Sequence, residues 1–119
     1  MTKLLKISIA VAMLALAPFA NACDYPKKAE VPDGATASKE EMLAGQTSVK
    51  TYMAAMETYL ACIEKDEKDT LATLTDITEE EKATRDAALT KKYNAAVAEM
   101  ELIAAQFNEQ VRAYKAQSE

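Results

Sequence analysis

The sequence contains no histidine, no tryptophan and only two glycines in 119 residues. Histidine is the usual general base, triad partner and metal ligand, so its absence argues against most hydrolytic and zinc or copper chemistries. Two glycines, Gly34 and Gly45, are too few for a phosphate-binding loop. No Ser-x-x-Lys or Gly-x-Ser-x-Gly motif is present. We therefore expect a protein that is not an enzyme and needs no metal or cofactor.

Long hydrophobic runs are also scarce, and the one that occurs lies at the start of the chain. Two lysines precede an apolar stretch of 11 residues (7–17), and residues 20–22 read Ala-Asn-Ala. This order predicts a signal peptide over residues 1–22. The alternative, a membrane anchor, needs about 20 apolar residues. We expect a periplasmic or secreted protein whose mature chain begins at Cys23.

Basic residues are too few and too dispersed for binding to nucleic acid. Removal of residues 1–22 takes two lysines away and changes the formal net charge from −5 to −7. A chain of this charge repels nucleic acid and anionic lipid. We expect no nucleic-acid partner, and no later apolar run is long enough to span a membrane.

Cysteine is limited to two residues, Cys23 and Cys62. In an oxidising compartment an even number of cysteines is typical of a disulfide. Closing a loop of this length would stabilise the fold by about 4 kcal/mol in the chain-entropy treatment. One alternative is acylation of Cys23, as in an envelope lipoprotein, although Ala20 stands where such signals carry a leucine-like residue. Pairing between two chains is another, and the absence of Cys-x-x-Cys and of histidine disfavours a redox or metal site.

The mature chain divides into an extended N-terminal segment, residues 23–37, and a helical domain, residues 38–117. Pro26, Pro32 and the Asp33-Gly34 pair in the first part favour extended chain and a turn. Capping boxes at residues 38–41 and 78–81 predict helices over about 38–70 and 79–117. The predicted fold is all-α, an antiparallel two-helix hairpin of coiled-coil type, with the N-terminal segment tied back by the disulfide.

Apolar residues recur at alternating spacings of three and four in both predicted helices. The first stripe consists of Met42, Gln46, Val49, Met53, Met56, Leu60 and Ile63. The second consists of Leu89, Tyr93, Ala96, Met100, Ile103, Phe107, Gln110 and Tyr114, with Val97, Ala104 and Val111 along one edge. Two helices alone leave part of each stripe uncovered. Either the N-terminal segment runs back along the first helix, or copies self-associate into a four-helix bundle.

Tyrosine and methionine side chains along the stripes are the candidates for binding a partner. The predicted contact surface consists of Tyr52, Met53, Met56, Tyr59, Tyr93 and Met100. Tyrosine offers apolar area with a polar tip, which suits an interface. The alternative is that these side chains complete a thin core, as methionine commonly does. A Cu(I) site of methionines and an acid–base pair of Glu57 and Glu64 are weaker interpretations.

Three short motifs, at residues 32–34 (Pro-Asp-Gly), 45–46 (Gly-Gln) and 59–62 (Tyr-Leu-Ala-Cys), resemble small secreted helical proteins of Gram-negative bacteria. The resemblance covers under a third of the chain and implies no activity. The sequence thus favours an exported, non-enzymatic protein that acts by surface contact, in an accessory, chaperone-like or envelope-stress role. Its partner would be another protein or a second copy. The alternatives are a self-associating structural protein and a lipoprotein acylated at Cys23.

Overall fold

A computed structural model describes residues 23–118 of the chain. The predicted signal peptide, residues 1–22, lies outside the described residues. Two α-helices, α1 (Lys39–Thr73) and α2 (Glu79–Gln117), pack against each other and are joined by residues 74–78. The predicted all-α hairpin is confirmed.

Both helices begin at the capping boxes seen in the sequence. The Ser38 hydroxyl accepts a hydrogen bond from the Glu41 amide at 3.1 Å, and the Glu41 carboxylate accepts one from the Ser38 amide at 2.7 Å. Thr78 and Glu81 make the same reciprocal pair at the start of α2, with distances of 3.1 and 2.9 Å. Hydrogen bonds from the backbone and hydroxyl of Thr78 lower the pKa of Glu81.

Helix α1 continues to Thr73, three residues beyond the sequence expectation of about residue 70. The last turns contain Thr70 and Thr73, and threonine is a poor helix former. Their hydroxyls instead donate to carbonyls of the preceding turn, Thr70 to Asp66 at 2.8 Å and Thr73 to Thr70 at 2.7 Å. The helix ends at Thr73, and the amide of the capping residue Leu74 donates to the Leu71 carbonyl at 3.3 Å.

The core lies along the predicted stripes. On α1 the buried residues are Met42, Gly45, Val49, Tyr52, Met56, Leu60 and Ile63. On α2 only Ala96 and Ile103 are fully buried, and the other stripe residues are half-buried. The polar Gln46, which falls on the first stripe, is exposed. The hairpin therefore has a narrow core with a half-exposed margin.

The N-terminal segment, residues 23–37, runs back along α1 and is called the extended segment below. Cys23 is bonded to Cys62, with their Cα atoms 5.7 Å apart. Moving toward the start of α1, the ring of Tyr25 meets that of Tyr59 edge-on at 5.0 Å. The amide of Glu30 then donates to the Ser48 hydroxyl at 3.1 Å. The predicted disulfide and the predicted return path are both confirmed.

The extended segment also contacts α2, so it lies in the groove between the two helices. The Gly34 amide donates to Oε1 of Gln110 at 2.8 Å, and the Gln117 side-chain amide donates to the carbonyls of Gly34 and Ala37. A Cβ on Gly34 would lie 1.8 Å from the backbone carbonyl oxygen of Gln110, so only glycine permits the two backbones to come this close. Lys28 adds an ion pair with Glu99 at 3.2 Å.

Beyond Cys62 the hairpin consists of two helices without a third layer. No side chain is fully buried among residues 64–95. Arg85 joins the helices there, since its Nε and Nη2 donate to both carboxylate oxygens of Glu67 at 2.8 and 2.9 Å. In one half of the molecule, α1, α2 and the extended segment pack together. The other half, residues 64–95, consists of the two helices alone and is called the bare half below.

Candidate functional site

Two of the six predicted contact residues belong to the core. Tyr52 is 3% exposed and Met56 is fully buried. Both face inward because α1 packs against α2 and the extended segment at these positions. The side chains of both residues are therefore covered within the single chain.

The Tyr52 hydroxyl is buried beside the Tyr25 side chain, and it makes no hydrogen bond of ordinary geometry among the described residues. Burial raises the pKa of Tyr52, and the neighbouring Tyr25 and Glu99 raise it further. Tyr59, another predicted contact residue, packs its ring against Tyr25. Tyr52 and Tyr59 therefore both lie where the extended segment meets α1.

The extended segment covers only one side of α1. It meets that helix at Gly45, Ser48, Tyr59 and Cys62. These positions follow the spacing of three and four that marks one face of a helix. The helical repeat turns a different set away from the segment: Leu43, Gln46, Lys50, Met53 and Glu57.

The same asymmetry holds for α2. The extended segment meets this helix at Glu99, Gln110 and Gln117. Apolar residues on the other side of the α2 stripe are half-buried. Together with Met53 of α1 they form a surface that we call the uncovered face: Met53, Tyr93, Val97, Met100, Ala104 and Val111.

Nothing else within residues 23–118 lies over the uncovered face. The extended segment occupies the opposite groove, and residues 74–78 turn at the far end of the hairpin. Three predicted contact residues, Met53, Tyr93 and Met100, are on this face. The sequence predicts Val97, Ala104 and Val111 only as one edge of the α2 stripe. Their place on a free surface depends on which groove the extended segment fills, and the sequence does not reveal that.

Charged side chains border the uncovered face and are sorted by sign along the hairpin. Near the start of α1 and the end of α2 they are Lys39, Lys50 and Lys115, all exposed. From the middle toward the connection they are chiefly carboxylates, Glu57, Glu64, Asp86 and Glu101, also exposed. None of these side chains makes a salt bridge within residues 23–118. The face is therefore apolar along its length, and it is bordered by basic residues near one end and chiefly by acidic residues toward the other.

Toward the connection the uncovered face runs into a shallow groove of about 440 Å³ between the helices. Glu64 and Asp86 line it with Leu71 and Leu89, and Lys68 and Lys82 also border it. Asp66 and Lys92 line a separate groove with Arg85. That arrangement places Glu64 and Asp86 on the side away from Asp66, as the helical repeat requires.

Glu57 and Glu64, considered as an acid–base pair, are exposed and border the uncovered face. The described part of the chain contains no group of three or more histidine, cysteine, aspartate or glutamate side chains positioned to hold a metal ion. Neither α1 nor α2 offers a stretch apolar and long enough to cross a bilayer.

Comparison with known proteins gives no relative: no family model, no curated protein and no solved structure matches the chain.

Proposed function

We propose that the protein is exported and acts by surface contact, in an accessory or chaperone-like role, rather than by catalysis. The uncovered face is the surface that makes the contact. It binds apolar segments of other polypeptides that are exposed in the same compartment.

One observation carries the proposal: a continuous row of half-buried apolar side chains, from Tyr93 to Val111 with Met53 beside it, is left without a cover. Contiguous apolar patches rimmed by polar residues are typical of protein–protein contact sites. Methionine adapts its shape to different partners, and tyrosine combines apolar area with a hydrogen-bonding tip.

Export is supported by two features. The signal-like order of residues 1–22 is one, and the bond between Cys23 and Cys62 is the other, since disulfides persist in oxidising compartments. Acylation of Cys23 would need the same sulfur atom, so the bridge disfavours a lipoprotein. Intact mass distinguishes the two, because the bridged chain is lighter by two hydrogens and the acylated chain is heavier by its lipid.

Suppression of client aggregation tests the proposed contact. Citrate synthase, the client, is heated until it unfolds, at a temperature at which the exported protein itself stays folded. Light scattering is recorded with the exported protein in molar excess over citrate synthase. We expect scattering to fall, because the uncovered face binds apolar segments of the unfolding client.

A matched pair of variants ties the effect to the face. Val97→Gln with Val111→Gln replaces two apolar side chains on the face by polar ones that suit a helix. Leu102→Gln makes the same kind of change at a residue 46% exposed on another side of α2. We expect the double variant to lose most of the suppression and L102Q to keep it. Unchanged scattering with the wild-type protein would refute the proposal.

A further inference from the structure

The uncovered face carries a second heptad series on α2, separate from the one that packs on α1. Val97, Ala104 and Val111 are seven residues apart and symmetric about Ala104. A second, antiparallel copy of α2 centred there would place Val97 opposite Val111 of that copy. The small Ala104 side chains would meet at the centre and allow close approach. A helix with two such series is typical of a bundle in which it has two neighbours.

We propose that the uncovered face is the interface of an antiparallel homodimer whose twofold axis passes beside Ala104. The proposal concerns the same face as the proposed function and names a second copy of the chain as its first occupant.

The position of α1 in such a dimer follows from the register within the hairpin. Gly45 lies level with Phe107, and Glu67 lies level with Arg85, so each step along α1 matches one step back along α2. An axis beside Ala104 therefore lies level with residue 48 of α1.

This register pairs the residues that border the face. Met53 comes opposite Leu43 of the second copy, and Glu57 comes opposite Lys39 of the second copy. Leu43 is 53% exposed in the isolated chain, and the dimer would cover it. Lys39 of each copy lies over Glu57 of the other, so one pair of opposite charges meets near each end of the overlap.

The other face-to-face arrangement, with the two connections at the same end, brings like charges together. Glu64 would approach Asp86 of the second copy, and Lys39 would approach Lys115. These two repulsive contacts outweigh the one attractive contact, between Lys50 and Glu101 of the second copy. Because like charges across an interface are costly, the charge order selects the arrangement with connections at opposite ends. Neighbouring helices are antiparallel in both arrangements, so their dipoles do not decide between them.

The overlap is large enough for a stable dimer. With the axis beside Ala104, residues 91–117 of α2 overlap their counterparts over about 40 Å at 1.5 Å per residue. Two helices side by side are about 20 Å wide, so each copy contributes about 800 Å², the size of an ordinary specific interface. The ends of the hairpins near residues 64–86 extend past the overlap.

Sedimentation equilibrium of the protein with its disulfide formed tests the proposal. We expect a dimer at micromolar concentration. Ala104→Glu places two carboxylates against each other at the axis and should weaken the dimer by about a hundredfold or more. Ala105→Glu adds the same charge to an exposed neighbour that points away from the face, and should leave the dimer intact. Circular dichroism checks that both variants stay helical.

A charge exchange tests the register. Glu57→Lys alone and Lys39→Glu alone each turn two attractive pairs into repulsive ones and should weaken the dimer by about tenfold. The double variant, K39E with E57K, restores opposite charges and should recover the wild-type affinity. Asp66→Lys, exposed on the other side of α1, is the control and should have no effect.

A protein that sediments as a monomer at high micromolar concentration overturns the proposal. So do equal effects of A104E and A105E, or a double charge variant weaker than either single one. These outcomes are independent of client suppression, so a monomer that still suppresses aggregation refutes the dimer alone.

Discussion

Gly45 is the residue at which α1 meets the extended segment most closely. A Cβ there would lie 2.5 Å from Cδ and 2.7 Å from Cγ of Pro32. Glycine in the middle of a helix costs about 1 kcal/mol relative to alanine. Its presence in this turn is explained by the proline ring packed against it.

Gly45→Ala should therefore destabilise the protein although it improves helix propensity. We expect a net loss of about 1 kcal/mol or more, because overpacking of this kind costs about 1–3 kcal/mol. Urea unfolding monitored by circular dichroism measures the change.

Pro32→Ala supplies the control, since it removes the two ring atoms that meet the new methyl group. In that background G45A should become neutral or stabilising. Stabilisation by G45A in the wild-type background would show that Pro32 does not pack on this turn.

Tyr52 buries a hydroxyl group that makes no hydrogen bond of ordinary geometry among the described residues. Tyr52→Phe should thus be neutral or slightly stabilising at neutral pH, because it removes a polar group whose burial is unfavourable. Tyr59→Phe is the matched control on a half-buried ring. A loss of more than about 1 kcal/mol in Y52F would mean that the hydroxyl has a partner.

The same tyrosine gives a pH dependence whose sign follows from its raised pKa. The folded protein holds the proton more tightly than the unfolded chain, whose tyrosines titrate near 10.0. The contribution of Tyr52 is complete below that pH and is lost as the pH rises through the folded pKa. We expect the alkaline fall in stability to be shallower in Y52F than in the wild type.

At the scale of elements, the extended segment makes the two grooves of the hairpin different, because it fills one of them and leaves the other open. Its path is fixed by the bond at Cys23 and by hydrogen bonds at Gly34 and Ala37. Between these anchors it is held mainly by half-buried side chains and by an exposed ion pair of Lys28. The disulfide should therefore contribute most to holding the part of the extended segment nearest Cys23 against α1.

Replacement of both cysteines by serine tests that role. We expect C23S with C62S to lower the free energy of unfolding by up to about 4 kcal/mol, the chain-entropy value for a loop of this length. Removal of the Glu30 to Ser48 bond by Ser48→Ala, which leaves the disulfide, should cost about 1 kcal/mol. Equal stability of the double serine variant and the wild type would contradict the assigned role of the bridge.

The sequence was sufficient for the two helices, because their capping boxes and apolar spacing are local signals. It also favoured the disulfide, since only one pair of cysteines exists, but it left acylation of Cys23 and pairing between two chains open. It left open whether Tyr52 and Met56 lie in the core or on a contact surface, because the spacing of a helix gives both kinds of position. Which side the extended segment covers depends on contacts such as Gly34 with Gln110, between residues far apart in the chain.

At the scale of the whole molecule, the half with the extended segment and the bare half should differ in local stability. Residues 64–92 lack fully buried side chains and rely on the Arg85 to Glu67 pair. We expect their amides to exchange with deuterium at least about tenfold faster than those of residues 49–63 and 96–107. Equal amide exchange rates along both helices would contradict this difference in local stability between the two halves.

Formation of the dimer would also slow amide exchange in the half with the extended segment. The hydrogen–deuterium exchange measurement is therefore repeated on the A104E variant. The difference between halves should persist there, because the extended segment remains in place. Its disappearance would assign the protection to the dimer interface instead.

The claim that the protein works through its uncovered face is tested most directly by site-specific photo-crosslinking. A photoreactive amino acid replaces Met53 on the face or Thr58, which is exposed on another side of α1, and each protein is illuminated with heat-unfolded citrate synthase. We predict that the client displaces the second copy from the face, which gives crosslinks from position 53 to the client and few or none from position 58. Equal crosslinking from both positions, or crosslinks from position 58 alone, would contradict the account.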